Sequence, residues 1–219
     1  MKYLHFSNRG RNKPRFSVYS ILLTLSFFVL LIACVSYTNS FQHIENKAKT
    51  YTPAYLEEFE ETTFLISIEA YANHFGGILA AKKITENHYR FAFLNEFGGK
   101  MIDFELIDQK LKLNHAIDEL NKKIILNLLK KDFNLIFHEN NPVSNAYEND
   151  GFLILEGRIN KKPVYYYLKN GELQKTVLTG KAKEKIQIVY RYAGRNFPEV
   201  EIIHQNLKIK IYLHLPDKT

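Results

Sequence analysis

Residues 207–215 read Leu-Lys-Ile-Lys-Ile-Tyr-Leu-His-Leu, with an aliphatic side chain at every second position. Successive side chains of a β-strand point to opposite faces, so the aliphatic residues of this stretch share one face. Neither glycine nor proline interrupts the run. The stretch therefore predicts a β-strand with one side against a core and the other toward water.

The same period-two pattern recurs earlier in the chain, at residues 64–71, 89–94 and 101–107. The pairs Asp150-Gly151 and Asn170-Gly171 lie between other strand-like runs, and such pairs are strong hairpin signals. Consecutive hairpins predict an antiparallel meander of about ten or eleven strands. About five of them precede a central interruption, and about five or six follow it.

The interruption, residues 117–137, has helical periodicity. Acidic residues, Asp118 and Glu119, lie near its start, and two lysines, Lys130 and Lys131, lie near its end. Negative charge at the N-terminus of a helix and positive charge at its C-terminus interact favourably with the helix dipole. Apolar residues recur at intervals of three and four, as on one face of an amphipathic helix. The predicted inward face of this helix consists of Ile117, Leu120, Ile124 and Leu128.

One helix covers only part of a sheet of this size, and a large sheet curls as it twists. Two mainly-β architectures therefore remain open. The first is a closed barrel around a tightly packed core. The second is an open, curved sheet with an apolar hollow beneath the helix.

The N-terminus has the layout of a secretory signal. Residues 1–17 contain five Lys and Arg and no acidic residue, and the 16 residues 18–33 are mostly apolar. A membrane-spanning helix needs about 20 apolar residues, so a single-span anchor would be short. Residues 31–34, Leu-Ile-Ala-Cys, resemble the lipobox of bacterial lipoproteins, in which the cysteine is lipidated and becomes the mature N-terminus.

These features divide the chain into a signal peptide, 1–33, a polar lipidated tether, 34–52, and one folded domain, 53–219. The alternative for Cys34 is a buried thiol in an uncleaved anchor. With Cys34 modified, no cysteine remains for a disulfide or a thiolate metal site. The only non-protein group expected is therefore the covalent lipid on Cys34.

The charge of the mature chain is nearly balanced. Of the 30 Lys and Arg, five lie in the signal peptide, which leaves 25 against 23 Asp and Glu and a net charge of +2. Nucleic-acid binding requires a clustered basic face, whereas the basic residues here occur as scattered pairs. We therefore expect no nucleic-acid partner.

Motifs for catalysis are absent from the sequence. It contains no Gly-x-Ser-x-Gly, no His-Glu-x-x-His and no phosphate-binding loop, and its histidines lack metal-ligand spacing. Asp103 and Glu105 share one face of a predicted strand, but that face is expected to be solvated. We therefore expect neither an enzyme nor a metal site.

Four stretches resemble the LolA/LolB lipoprotein-localisation family, especially its membrane-anchored LolB-type acceptors. Residues 77–84, 88–98 and 101–106 are similar to the family's early strands, and residues 197–213 are similar to its end, where a proline-led strand, a short turn and a final alternating strand follow one another. The resemblance covers nearly the whole mature chain. It implies an incomplete β-barrel, a curved antiparallel sheet with one central helix as a lid, whose hollow holds the acyl chains of another lipoprotein.

The resemblance also implies a protruding apolar residue on the loop between the third and fourth strands, which is important for delivery of cargo to the membrane. The matching residue is Phe97, flanked by Gly98 and by Glu96, which stands where the family commonly has proline. Alternatively, Phe97 folds back over the sheet edge. The residues expected to line the hollow are Phe64, Ile66, Ile68, Phe91, Phe93, Ile102, Phe104, Ile209 and Ile211.

The leading hypothesis is a monomeric lipoprotein on the periplasmic face of the outer membrane that binds acylated lipoproteins, supplied by a LolA-like donor, and helps to insert them. Residues 35–40 contain no acidic residue, so neither an inner-membrane retention signal nor a surface-export cluster follows Cys34. The alternative is an adaptor lipoprotein with a solid core. It would dock to an envelope complex through a sheet edge or through the tyrosines at 165–167.

Overall fold

Hairpins between consecutive strands build most of the molecule. The computed structural model describes residues 36–71, 73–180 and 182–217. Two predicted turns, Asp150-Gly151 and Asn170-Gly171, have positive φ at both residues, as two-residue hairpins of matching twist require. The strands are β1 (Gln42–Ile44), β2 (Thr50–Tyr51), β3 (Glu61–Ala70), β4 (Asn73–Thr85), β5 (His88–Asn95), β6 (Lys100–Ile107), β7 (Lys110–Ala116), β8 (Asn141–Asn149), β9 (Phe152–Ile159), β10 (Lys162–Lys169), β11 (Glu172–Gly180), β12 (Lys183–Arg191), β13 (Glu199–His204) and β14 (Ile209–His214).

All pairings in the sheet are antiparallel, and its strand order is β1-β8-β9-β10-β11-β12-β13-β14-β3-β4-β5-β6-β7, with β2 also paired to β8. The last strand joins the two meanders, since Ile211 of β14 lies opposite Ile68 of β3. The edge strands β1 and β7 do not pair with each other, so the curved sheet stays open. The predicted fold class is confirmed, and the closed barrel is excluded.

The strand count differs from the prediction after the helix. Five strands, β3–β7, precede the helix as expected, but seven, β8–β14, follow it. Two further short strands, β1 and β2, lie in the range 34–52 that was predicted to be a tether. Both pair with β8, so the described part of this range belongs to the folded body.

Residues 37–219 form one compact unit that contains every described strand. The unit has its own apolar core, and we therefore expect it to fold without residues 1–36. The predicted signal peptide and Cys34 lie outside the described residues. Among those described, no helix is long and apolar enough to cross a bilayer.

The helix α1 (Lys123–Ile136) begins later than predicted. The backbone N–H of Ile117 donates to the carbonyl of Met101, so strand-like pairing with β6 continues through this residue. The N–H of Leu120 then donates to the Ile117 carbonyl in a turn, which places Ile117 and Leu120 before the helix. No acidic residue lies in the first turn of α1 and no basic residue lies in its last turn. The prediction that charged residues at both ends stabilise the helix dipole is therefore wrong.

An aromatic cluster fills one end of the curved sheet. Its centre is Phe137, the residue after α1, which is 2% exposed. The ring centroid of Phe137 lies 4.9–6.4 Å from six other aromatic rings. These neighbours are Phe59, Phe64, Tyr89, Phe91, Phe133 and Phe197. The end of the sheet that contains this aromatic cluster is therefore filled by core side chains.

Candidate functional site

An apolar cavity of about 430 Å³ lies between the first half of α1 and the sheet. Twelve of the 15 residues that line it are apolar. Protein interiors contain few voids larger than a water molecule, and ligand sites typically measure about 300–1,000 Å³. The cavity is therefore large enough for a ligand. Its lining consists of Ile68, Ala70, Phe75, Phe93, Met101, Ile117, Glu119, Leu120, Lys122, Ile125, Leu128, Leu129, Asp132, Ile209 and Ile211.

The nine residues expected in the hollow fall into two groups. Ile68, Phe93, Ile209 and Ile211 line the cavity. The other five are buried core residues, at most 4% exposed, because they lie toward the aromatic end of the sheet or deeper within it. The residues of this second group are Phe64, Ile66, Phe91, Ile102 and Phe104.

The face that the helix presents to the cavity overlaps only in part with the one expected. Ile125, Leu129 and Asp132 line the cavity at intervals of four and three residues, whereas Ile124 is 64% exposed. Ile117, Leu120 and Leu128 do line it, although the first two belong to the preceding turn. The predicted stripe joined residues of a turn to residues of a helix.

The helix is attached to the sheet mainly through its second half. Its fully buried residues are confined to 132–136, and residues 123–131 are exposed or partly exposed. Asp132 and His204 lie 3.0 Å apart between Oδ2 and Nε2, and Asn134 donates to the carbonyl of Gln109. The half of α1 above the cavity is therefore the less firmly held half.

Asp132 is one of three charged residues in the cavity wall, with Glu119 and Lys122. Its side chain is fully buried, and burial raises the pKa of this carboxyl while the hydrogen bond with His204 opposes the rise. Within the described part of the chain, its second oxygen, Oδ1, has no hydrogen-bond partner. Burying an unpaired polar atom is costly, so Oδ1 is an unfavourable feature of this part of the cavity wall.

Phe97 projects into solvent from the loop between β5 and β6, with 95% of its surface exposed. The side-chain oxygen of Asn95 accepts hydrogen bonds from the backbone N–H groups of Phe97 and Gly99, and Gly98 has a φ of +80°. This turn holds Phe97 away from the sheet, so the alternative in which the ring folds back is wrong. The preceding Glu96 is exposed.

The exposed loop lies at the same end of the sheet as the cavity. Phe93 of β5 lines the cavity, and the loop begins two residues later at Asn95. Asn95 pairs with Gly77 of β4, close to Phe75, which also lines the cavity and is 47% exposed. An exposed apolar tip and a partly open apolar cavity therefore lie on neighbouring segments.

The tyrosines at 165–167 are not a free surface. Tyr166 belongs to the inner core, and Tyr165 and Tyr167 belong to a second buried cluster on the outer side of the sheet. The hydroxyl of Tyr37 hydrogen-bonds to that of Tyr167 at 2.7 Å and donates to Glu184. Residues 37–44 thus pack over this aromatic surface, and the hydrophobic gain explains why they are not a free tether.

Asp103 and Glu105 lie in an ion-pair network on β6. Asp103 is bonded to Arg90 and Lys100, and its side chain is 4% exposed, so the expectation of a solvated face is wrong for this residue. The Arg90 guanidinium holds the pKa of Asp103 well below its usual range. Hydrogen bonds, the largest from Asn114, lower the pKa of Glu105 to about 2.

We predict that Asp103→Asn lowers the free energy of unfolding by about 1–2 kcal/mol at pH 7. A carboxylate whose pKa is lowered in the native state stabilises the fold at pH values above its unfolded-state pKa of about 3.9, and this contribution is lost as the pH falls. The difference in free energy of unfolding between the variant and the wild type should therefore narrow as the pH is lowered from 5 to about 2. Urea denaturation across this range measures it, with Glu69→Gln as the exposed control. A gap that does not change with pH would contradict the prediction.

In the described ranges, no group of three or more His, Cys, Asp and Glu side chains is arranged to hold a metal ion.

Comparisons with known proteins gave similarities in structure alone. No protein-family model and no curated protein matches the sequence. The solved structures that resemble the chain include a LolA superfamily protein from Nitrosomonas europaea, with 9% identity and a TM-score of 0.47, covering 77% of this chain and 96% of that one. An outer membrane lipoprotein-sorting protein domain from Vibrio parahaemolyticus has 8% identity and a TM-score of 0.43, covering 75% and 86%.

A DUF1329 family protein from Desulfovibrio piger is also similar, with 8% identity and a TM-score of 0.43, covering 72% of this chain and 84% of that one. All three TM-scores lie below 0.5, so these similarities do not identify a function for this chain.

Proposed function

We propose that this protein is a lipid-anchored carrier that holds the acyl chains of other lipoproteins in the cavity beneath α1 and helps to insert them into the outer membrane. The observation that carries the proposal is the cavity of about 430 Å³ with its twelve apolar lining residues. Removing hydrocarbon from water is favourable by about 0.8 kcal/mol per methylene, so the lining matches acyl chains. No covalent chemistry and no cofactor are needed for this function.

The attachment of α1 supports a lid that opens. Residues 123–131 cover the cavity without being fully buried, while residues 132–136 are anchored in the core. A movement of the first half alone would admit a chain without disturbing the aromatic end. Cys34, on which the lipid anchor is proposed, would keep the carrier at the periplasmic face of the membrane.

Ligand binding tests the proposal directly. Residues 35–219, which lack the anchor, would be titrated with a fluorescent fatty acid and with a diacylated lipopeptide. We expect saturable binding of one molecule per chain and competition between the two ligands. The same peptide without its acyl chains is the matched control and should not bind. Failure of both acylated ligands to bind would overturn the carrier function.

We predict that Phe97→Glu slows transfer of a bound lipopeptide to liposomes by about tenfold or more, because a charged tip enters the apolar part of a bilayer unfavourably. Binding of the lipopeptide should change less than twofold, since Phe97 does not line the cavity and is 95% exposed. Transfer would be followed by fluorescence dequenching. Phe97→Leu keeps an apolar tip and should transfer normally. If the Phe97→Glu variant transfers the lipopeptide at the wild-type rate, this loop has no role in delivery.

The adaptor alternative loses one of its two predicted docking surfaces, since Tyr37 and Phe41 already pack against the tyrosines at 165–167. Docking through a sheet edge stays a prediction.

A further inference from the structure

A second groove, of about 720 Å³, lies on the other side of α1, between the helix and the ends of β10–β13. Five lysines and one histidine line it, and no Asp or Glu does. The lysines come from separate segments, although in the sequence they look like scattered residues and pairs. They are Lys123, Lys131, Lys161, Lys162 and Lys185.

Among the residues that the structure describes, none of these five lysines forms an ion pair, although Lys131 lies near enough to the Asp132 carboxyl to interact with it electrostatically. By contrast, Lys82, Lys83, Lys100 and Lys112 elsewhere in the chain each form one. Like charges gathered around a concave surface repel one another and attract counter-ions. The groove is therefore electrostatically complementary to an anion.

The floor of the groove is apolar. Ile124 and Leu128 of α1 form one side, and Leu178, Ile186 and Leu207 form the other. Ile124 is 64% exposed, so its side chain is accessible to a molecule that enters the groove. A small inorganic anion would satisfy the lysines but would leave Ile124 and the partly exposed Leu128 and Leu207 in contact with water.

The position of the lysine pair at 161–162 is fixed by its turn. Asn160 and Lys161 have positive φ in the β9–β10 hairpin, and the Asn160 backbone N–H donates to the side-chain oxygen of Gln109 at 2.8 Å. The Gln109 amide nitrogen in turn lies 2.9 Å from a ring nitrogen of His138. This part of the rim is thus held by side chains of other segments.

We propose that the groove binds one molecule of an anionic amphiphile, with a phosphate head group among the lysines and hydrocarbon on the apolar floor. A concave site of this size suits a single lipid molecule rather than a flat bilayer surface. The groove is distinct from the cavity of the proposed function. Leu128 and the Asp132–His204 pair lie between them. Asp132 lines the cavity, and His204 lines the groove.

The test uses dihexanoyl phosphatidylglycerol, kept below its micelle concentration, with residues 35–219 in a calorimetric titration. We expect it to bind at least about tenfold more tightly than dihexanoyl phosphatidylcholine, which has the same tails but no net charge. The combined variant Lys123→Gln, Lys131→Gln and Lys185→Gln should lose about tenfold in affinity or more. Raising the salt concentration should weaken binding of the wild type.

The matched control neutralises three exposed lysines elsewhere, Lys47→Gln, Lys110→Gln and Lys210→Gln, and should change the affinity less than twofold. An equal loss in this control, or equal binding of the two lipids, would overturn the proposal. Competition by inorganic phosphate at the lipid's own concentration would overturn the lipid assignment in favour of free phosphate. Fatty-acid binding by the triple lysine variant is measured separately. Loss of lipid binding in the groove can therefore be distinguished from loss of acyl-chain binding in the cavity.

Discussion

Replacing Phe137 with alanine is expected to lower the free energy of unfolding by about 3–5 kcal/mol. The ring is 2% exposed and lies against six other aromatic rings, so its removal leaves a void that its neighbours fill only in part. Phe137 also follows α1 directly and donates its backbone N–H to Phe133. The loss should therefore loosen the anchored end of the helix as well as the core.

Urea denaturation of residues 35–219 measures this effect. Phe97→Ala is the matched control, because it removes the same side chain from a position that is 95% exposed, and it should cost less than about 0.5 kcal/mol. A loss below about 1.5 kcal/mol for Phe137→Ala would mean that the aromatic end can collapse around the gap. The division into a solid end and a hollow end would then be wrong.

The alternating strands could be predicted from the sequence because their pattern directly reflects burial. In β5 the side chains of Tyr89, Phe91 and Phe93 are at most 6% exposed, as their period-two spacing predicts. The same holds in β14, where Ile211 and Leu213 are buried. Such strands have one apolar face, so local sequence and tertiary packing agree.

Prediction failed where long-range contacts determine the local structure. Ile117 has helical spacing to Leu120, but its N–H is held by Met101 of β6, and the chain stays outside the helix. Residues 37–51 are mostly polar, yet Tyr37 and Phe41 contact aromatic residues of β8 and β10 that are distant in sequence. Neither contact leaves a periodic trace in the sequence.

The cavity could be predicted only as a set of apolar residues. Ile68 and Ile66 are both aliphatic residues of β3 on the same face, and yet only Ile68 lines the cavity while Ile66 is core. The difference depends on where α1 crosses the sheet and on how far the aromatic cluster extends. Likewise, the lysines of the second groove are brought together by the fold from segments as distant as residues 123 and 185.

Replacing Ala70 with phenylalanine is expected to reduce the affinity for a fatty acid by about a hundredfold. Ala70 ends β3 and lines the cavity, so a phenyl ring at this position occupies space that the ligand needs. A ring that displaces roughly four methylene groups removes about 3 kcal/mol of burial, which corresponds to about a hundredfold in affinity. Fluorescent fatty-acid titration of residues 35–219 measures the loss.

Two further variants make the result interpretable. Ala92→Phe introduces the same ring in a depression that Ala92, Ala80 and Lys82 line, outside the cavity, and its affinity should stay within twofold of wild type. Ile125→Trp fills the cavity from the helix side and should lose affinity like Ala70→Phe, even if overpacking of the sheet destabilises the latter. If both filled variants fold, melt cooperatively and still bind the fatty acid as wild type does, the hydrocarbon lies elsewhere, because a filled cavity cannot also hold a chain.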